Sequence, residues 1–105
     1  RIDQLKIVES FLTTQLSGFM DRLKEARIFE DTLVVFGSGM SDASSHSNRN
    51  LPVLLAGKGG GELTTDRFVS HGSVPMTNLY LGLAEKLGIQ NLDRLGDSTG
   101  VLRNV

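Results

Sequence analysis

From Thr32 to Phe36 the chain reads Thr-Leu-Val-Val-Phe, a short, β-branched and continuously apolar run closed by Gly37. A strand wetted on one face alternates apolar and polar residues, so a run without alternation predicts a strand covered on both faces. Leu51 to Ala56 is a second run of the same kind, with Pro52 near its start, where a missing ladder donor is tolerated. Two such strands call for helices as cover, which points to the α/β class.

The helices are marked by a different period. Ile2, Leu5, Val8, Leu12, Leu16, Phe19, Leu23 and Ala26 step by three or four, so residues 2–27 are expected to form one long amphipathic helix. Phe11 and Met20 widen its stripe, while Lys6, Glu9, Asp21, Lys24 and Glu25 make the wet face. Pro75 suits the first position of a second helix running to about Leu87, with Leu79, Leu83 and Leu87 on one face and Gly88 beyond its end as a left-handed cap. Residues 37–50 show neither period and read as a long polar loop; Gly57 to Gly61 reads as a flexible turn. The tail from Leu92 to Val105, containing Gly96-Asp97-Ser98-Thr99-Gly100, reads as turn and loop.

A length of 105 residues allows one domain at most. The chain opens on Arg1 with the helical pattern already running, which reads as a cut, so residues 1–105 are expected to be a single, partial α/β domain. Two helices are little cover for two doubly apolar strands, and the chain is expected to associate with itself through its uncovered faces. With 11 basic against 12 acidic residues the net charge is -1, which gives no electrostatic footing for nucleic acid or for a polybasic membrane contact. No apolar run approaches the roughly 18 residues of a spanning helix. The lack of cysteine excludes disulfides, thiolate nucleophiles and sulfur-ligated metals.

Three arrangements could carry chemistry. Ser38 follows a strand as a hydrolase nucleophile does, but that elbow needs glycines two residues either side of the serine and a helix after it, whereas Gly37 and Gly39 are immediate neighbours. Gly37-Ser38-Gly39-Met40-Ser41-Asp42 nearly meets a dinucleotide fingerprint, but has an acidic residue at the third glycine position and no helix behind it; the run around Lys58 has the same defect. The third is the polar loop itself, which carries Asp42, His46, Asn48 and Asn50 between two core strands. Carboxylate and imidazole ligands together suit a divalent zinc, manganese or iron ion, and strand-end loops are where α/β proteins place such sites. The plain alternative is that Asp42, Ser44 and Ser45 close turns through side chain to backbone hydrogen bonds and that His46 is a surface histidine. His71 reads as a loop histidine. Asp97 reads as part of a local turn, or as a partner for Arg94 or Arg103.

The string Thr32-Leu33-Val34-Val35-Phe36-Gly37-Ser38-Gly39-Met40-Ser41-Asp42, then His46, then Asn50-Leu51-Pro52-Val53-Leu54-Leu55-Ala56-Gly57, resembles the C-terminal part of the HXXSHH family of uncharacterised bacterial proteins. So do Pro75-Met76-Thr77-Asn78-Leu79-Tyr80-Leu81, Leu87-Gly88 and Gly96-Asp97-Ser98-Thr99-Gly100, and the match covers most of the chain. That family in turn looks like a remote relative of the alkaline phosphatase and sulfatase superfamily, whose α/β domain holds metal on strand-end loops.

The resemblance implies the C-terminal part of an alkaline-phosphatase-like, metal-dependent hydrolase domain for phosphate or sulfate esters, with no organic cofactor. A degenerate relative acting in binding or assembly is the alternative. His46 ahead of Asn50-Leu51-Pro52-Val53 resembles the superfamily's last histidine ligand. The acidic-histidine pair expected near Ser38 and Gly39 is missing, so Asp42 would have to stand in for it. Ser38, Asn48 and Asn50 would then contact substrate or orient the ligands, and the superfamily's nucleophile would lie upstream. Asp42 and His46 are expected to face one another at the C-terminal end of the first strand.

Overall fold

The computed structural model describes residues 1–42 and 44–105. A long helix α1 (Ile2–Glu25) leads, through a short 3-10 turn at Phe29–Asp31, into strand β1 (Leu33–Gly37); β2 (Val53–Gly57) follows, then a 3-10 turn at Gly59–Gly61 and helix α2 (Met76–Lys86). The chain is thus a small mixed α and β molecule of two helices and two strands. The strands are antiparallel neighbours, registered Leu33 to Gly57, Val35 to Leu55 and Gly37 to Val53, so residues 38–52 form the long tip of a hairpin.

Both helices end in the same way. After α1, Arg27 takes a left-handed φ of 60°, and the Ile28 amide donates back to the Leu23 carbonyl at 3.0 Å. After α2, Gly88 has φ +82°, and the Ile89 amide donates to the Ala84 carbonyl at 3.0 Å. This is the six-to-one closure of a Schellman cap; Gly88 adopts it without strain, while Arg27 holds a conformation that costs a non-glycine residue about 1–2 kcal/mol. Pro75 sits one place earlier than expected: with φ -61° and ψ 144° it is the extended residue before α2, and its carbonyl accepts the Asn78 amide at 3.0 Å.

The core is small and lies between α2 and one face of the hairpin. Leu63, Leu79, Leu83 and Val105 are buried together, with Leu33, Val53, Leu55, Met76 and Leu102 packed against them. Successive side chains of a strand point to opposite faces, so Leu33, Val53 and Leu55 turn toward α2 while Phe36 and Leu54 turn away. Cover on both faces is incomplete: Val34, on the face turned away from α2, is the one buried residue of β1, while Val35 (44% exposed), Phe36 and Leu54 (46%) remain open to water. A single 11-residue helix spans too little of a two-stranded sheet to do more.

Helix α1 is half-covered along Leu16, Met20 and Leu23 and otherwise open. None of its residues is buried; Phe11 is 61% and Phe19 51% exposed. It is anchored at its C-terminal end, where Lys24 Nζ lies 5.0 Å from the centre of the Phe29 ring. The projecting helix explains a radius of gyration of 15.4 Å, against about 13 Å for a close-packed chain of this length. No helix is long and apolar enough to cross a membrane among the described residues.

The tail is more ordered than its sequence suggests. Leu102 and Val105 return to the core, and the Leu102 amide donates to the Asn78 carbonyl at 3.0 Å. Asp97 pairs with neither Arg94 nor Arg103: its Oδ1 accepts from Thr77 Oγ1 at 2.8 Å, while Arg103 makes a two-point contact with Glu85 at 3.0 and 3.1 Å. A neutral hydroxyl in the first turn of α2 is nearer to Asp97 than either guanidinium.

Candidate functional site

The 38–52 tip leaves the sheet at the C-terminal end of β1 and returns at the start of β2, so every residue singled out in it is carried by one hairpin. The tip is closed by its own hydrogen bonds. The Ser41 amide donates to the Ser47 carbonyl at 2.8 Å and the Ser47 amide to the Asp42 carbonyl at 3.1 Å, a two-residue bridge in an otherwise irregular loop. Serine-rich sequence with no apolar anchor has little else to order it, and short polar side chains supply the remaining bonds.

Asp42 is the centre of this arrangement. Its Oδ1 accepts the Ser44 amide at 2.9 Å and its Oδ2 accepts the Ser45 hydroxyl at 2.8 Å. Both donors favour the charged form, so the carboxyl titrates below the ordinary aspartate value, the Ser45 bond contributing most and the Ser44 amide next. His46 follows in the same tip, exposed, with a left-handed φ of 53°. Its conformation follows from the bridge: the chain must reverse between Asp42 and Ser47, and His46 takes part of that turn.

The other candidates are spread along the loop. Ser38 Oγ donates to the Met40 carbonyl at 2.9 Å and accepts the Met40 amide at 3.3 Å, so it is spent on a local turn. Asn48 and Asn50 lie on the exposed return toward β2, with Asn50 left-handed at φ 54°. His71 is partly buried in the irregular segment between the second 3-10 turn and α2.

Whether these residues suit a cation can be judged from the donor set. Among the described residues no three His, Asp or Glu side chains come together as ligands. Asp42 and His46 are at most half of a site, and both Asp42 oxygens already accept hydrogen bonds. Two depressions among the described residues lie away from the loop, one on the polar side of α1 around Glu9 and Thr13 and one between the end of α2 and the tail, where about 600 Å³ opens beside Glu85, Leu92 and Arg103.

What sequence reasoning missed is the joining of α2 to the tail through Asn78, whose side chain is buried at 5% exposure. The available signal was a polar residue between Met76 and Leu79 on an otherwise apolar helix face. Comparison of the chain with protein-family models, with curated proteins and with solved structures finds no match in any of the three.

Proposed function

We propose that the chain is the C-terminal segment of an alkaline-phosphatase-like, metal-dependent hydrolase domain for phosphate or sulfate esters, and that it contributes one ligand loop to that domain. The observation that carries this reading is the position of the loop. Asp42 and His46 stand on a self-closed polar tip that leaves β1 at its C-terminal end and enters β2 at its start, and the resemblance puts the superfamily's metal ligands on strand-end loops. The strings from Thr32 to Gly57 and from Gly96 to Gly100 support the family. The uncovered faces of α1 and of the hairpin fit a piece whose packing is completed by more chain.

A non-catalytic binding or assembly role is the second reading, and it is favoured by the donor count: no group of three ligating side chains forms among the described residues. The two readings part on one experiment. Under the first, the protein carrying this chain within its whole domain hydrolyses a nitrophenyl phosphate or sulfate in a metal-dependent way, His46→Ala abolishes turnover, and the 105 residues alone stay at background. An inactive whole domain that remains folded would establish the second.

A further inference from the structure

We propose that α1 is a dimerisation helix, and that its open stripe is covered by α1 of a second copy of this chain running antiparallel to it. The proposal is independent of the hydrolase reading above. From Ile2 to Ala26 the first and fourth positions of a seven-residue repeat are apolar, with the single exception of Glu9. A repeat held at that spacing is the pattern of a seam between two helices, narrower than the stripe by which a helix lies on a sheet. The chain's own fold leaves the seam open. Every residue from Arg1 to Gln15 is exposed, and cover on α1 is limited to the half-burial of Leu16, Met20 and Leu23.

The symmetry of the pattern identifies the occupant as a second copy. Reversed about residue 14, the seam falls on itself: Leu5 comes opposite Leu23, and Leu12 opposite Leu16. The bare N-terminal half of each helix then lies along the half-covered C-terminal half of the other. All 24 residues of α1 are used, about 36 Å of helix. Glu9 sets the direction. In a parallel pair the two Glu9 carboxylates would face one another across the seam, whereas in the reversed pair Glu9 meets Phe19 and keeps Lys6 as its neighbour three residues back on its own helix. One polar position in an apolar seam fixes register at a cost in stability. Because both copies present the same surface, the contact closes at two chains and does not run on into a fibre.

The test uses the whole 105-residue chain, which has no cysteine, so one introduced thiol carries a spin label at a known place. Gln4→Cys and Thr14→Cys both lie outside the seam. In the antiparallel pair the two labels at residue 14 are level along the axis, while those at residue 4 are about 30 Å out of step. Pulsed electron resonance should therefore read a clearly longer distance from residue 4. Sedimentation equilibrium measures the strength of the pair. Leu12→Gln takes an apolar side chain from each copy and is expected to weaken dimerisation roughly a hundredfold, and Glu9→Leu to tighten it about tenfold, a gain that misfolding cannot mimic. Ile7→Gln should change nothing, since Ile7 is 69% exposed but stands off the seam. The proposal is overturned by equal label distances, which mean a parallel pair, or by a chain that stays monomeric at micromolar concentration, which leaves the stripe to another occupant. Species beyond the dimer, or an Ile7→Gln chain weakened as much as Leu12→Gln, would overturn it as unspecific adhesion.

Discussion

Asn78 holds Thr99 with both ends of its amide: Oδ1 accepts the Thr99 amide at 2.8 Å, and Nδ2 donates to Thr99 Oγ1 at 3.0 Å. The two residues are 21 positions apart, and the Asn78 main-chain carbonyl adds a third tie, to the Leu102 amide. One buried side chain therefore binds the tail to α2 and brings Leu102 and Val105 into the core. Asn78→Ala leaves the Thr99 amide unpaired at a partly buried site and should cost about 1–3 kcal/mol. Urea unfolding followed by circular dichroism measures it, and a loss under about 0.5 kcal/mol would show that the tail docks by its apolar residues alone.

Two glycine substitutions in helices should move stability in opposite directions. A Cβ on Gly82 would lie 1.8 Å from the Leu102 carbonyl oxygen, so Gly82→Ala must push the tail away from the helix. Gly18, on exposed α1, has nothing within 4 Å of such a Cβ. Gly18→Ala is expected to raise helix content and stabilise by about 0.5–1 kcal/mol, whereas Gly82→Ala should lower the melting temperature despite the same gain in helix propensity.

The pH dependence of the loop tip has a definite sign. Asp42 has its folded-state pKa depressed, first by the Ser45 hydroxyl and next by the Ser44 amide. The stabilisation it provides is therefore present above the unfolded carboxylate value and is lost as pH falls through the folded one. Carboxyl carbon shifts read by NMR should place Asp42 below an ordinary aspartate, and Ser45→Ala should return it most of the way. The Ser47 amide should lose protection over that same acid range.

Much of the framework was legible because it rests on period. The three-and-four spacing from Ile2 to Ala26 marks α1, which runs Ile2–Glu25, and the unbroken run after Thr32 marks β1. Gly88 announced the end of α2. The tail was not legible, because its order comes from Asn78 and Gly82 on a different element, and no local pattern records a partner 21 residues away. The pairing of Asp97 with Thr77 was hidden for the same reason. At the loop, residue types left open whether Asp42 is a ligand or closes a turn; the structure adds that its two oxygens accept from Ser44 and Ser45. The apolar runs, in turn, record how much cover the strands call for, which exceeds what α2 and the tail provide.

That uncovered surface has a measurable consequence. With Phe11 and Phe19 of the α1 stripe more than half exposed, the isolated chain is expected to pair with copies of itself. Light scattering at micromolar concentration should report species larger than a monomer, and Phe11→Gln with Phe19→Gln should reduce them. Helix content should change little, because neither ring is part of the core. A well-behaved monomer with a cooperative melt would show that α2 and the tail are cover enough.

The most direct test of the ligand loop is the metal content, by mass spectrometry, of the protein that carries these residues within its whole domain. We predict at least one divalent transition metal ion per chain, lost or sharply reduced in His46→Ala. A protein purified without metal that still hydrolyses esters, or one whose metal content is indifferent to His46→Ala, would contradict the account.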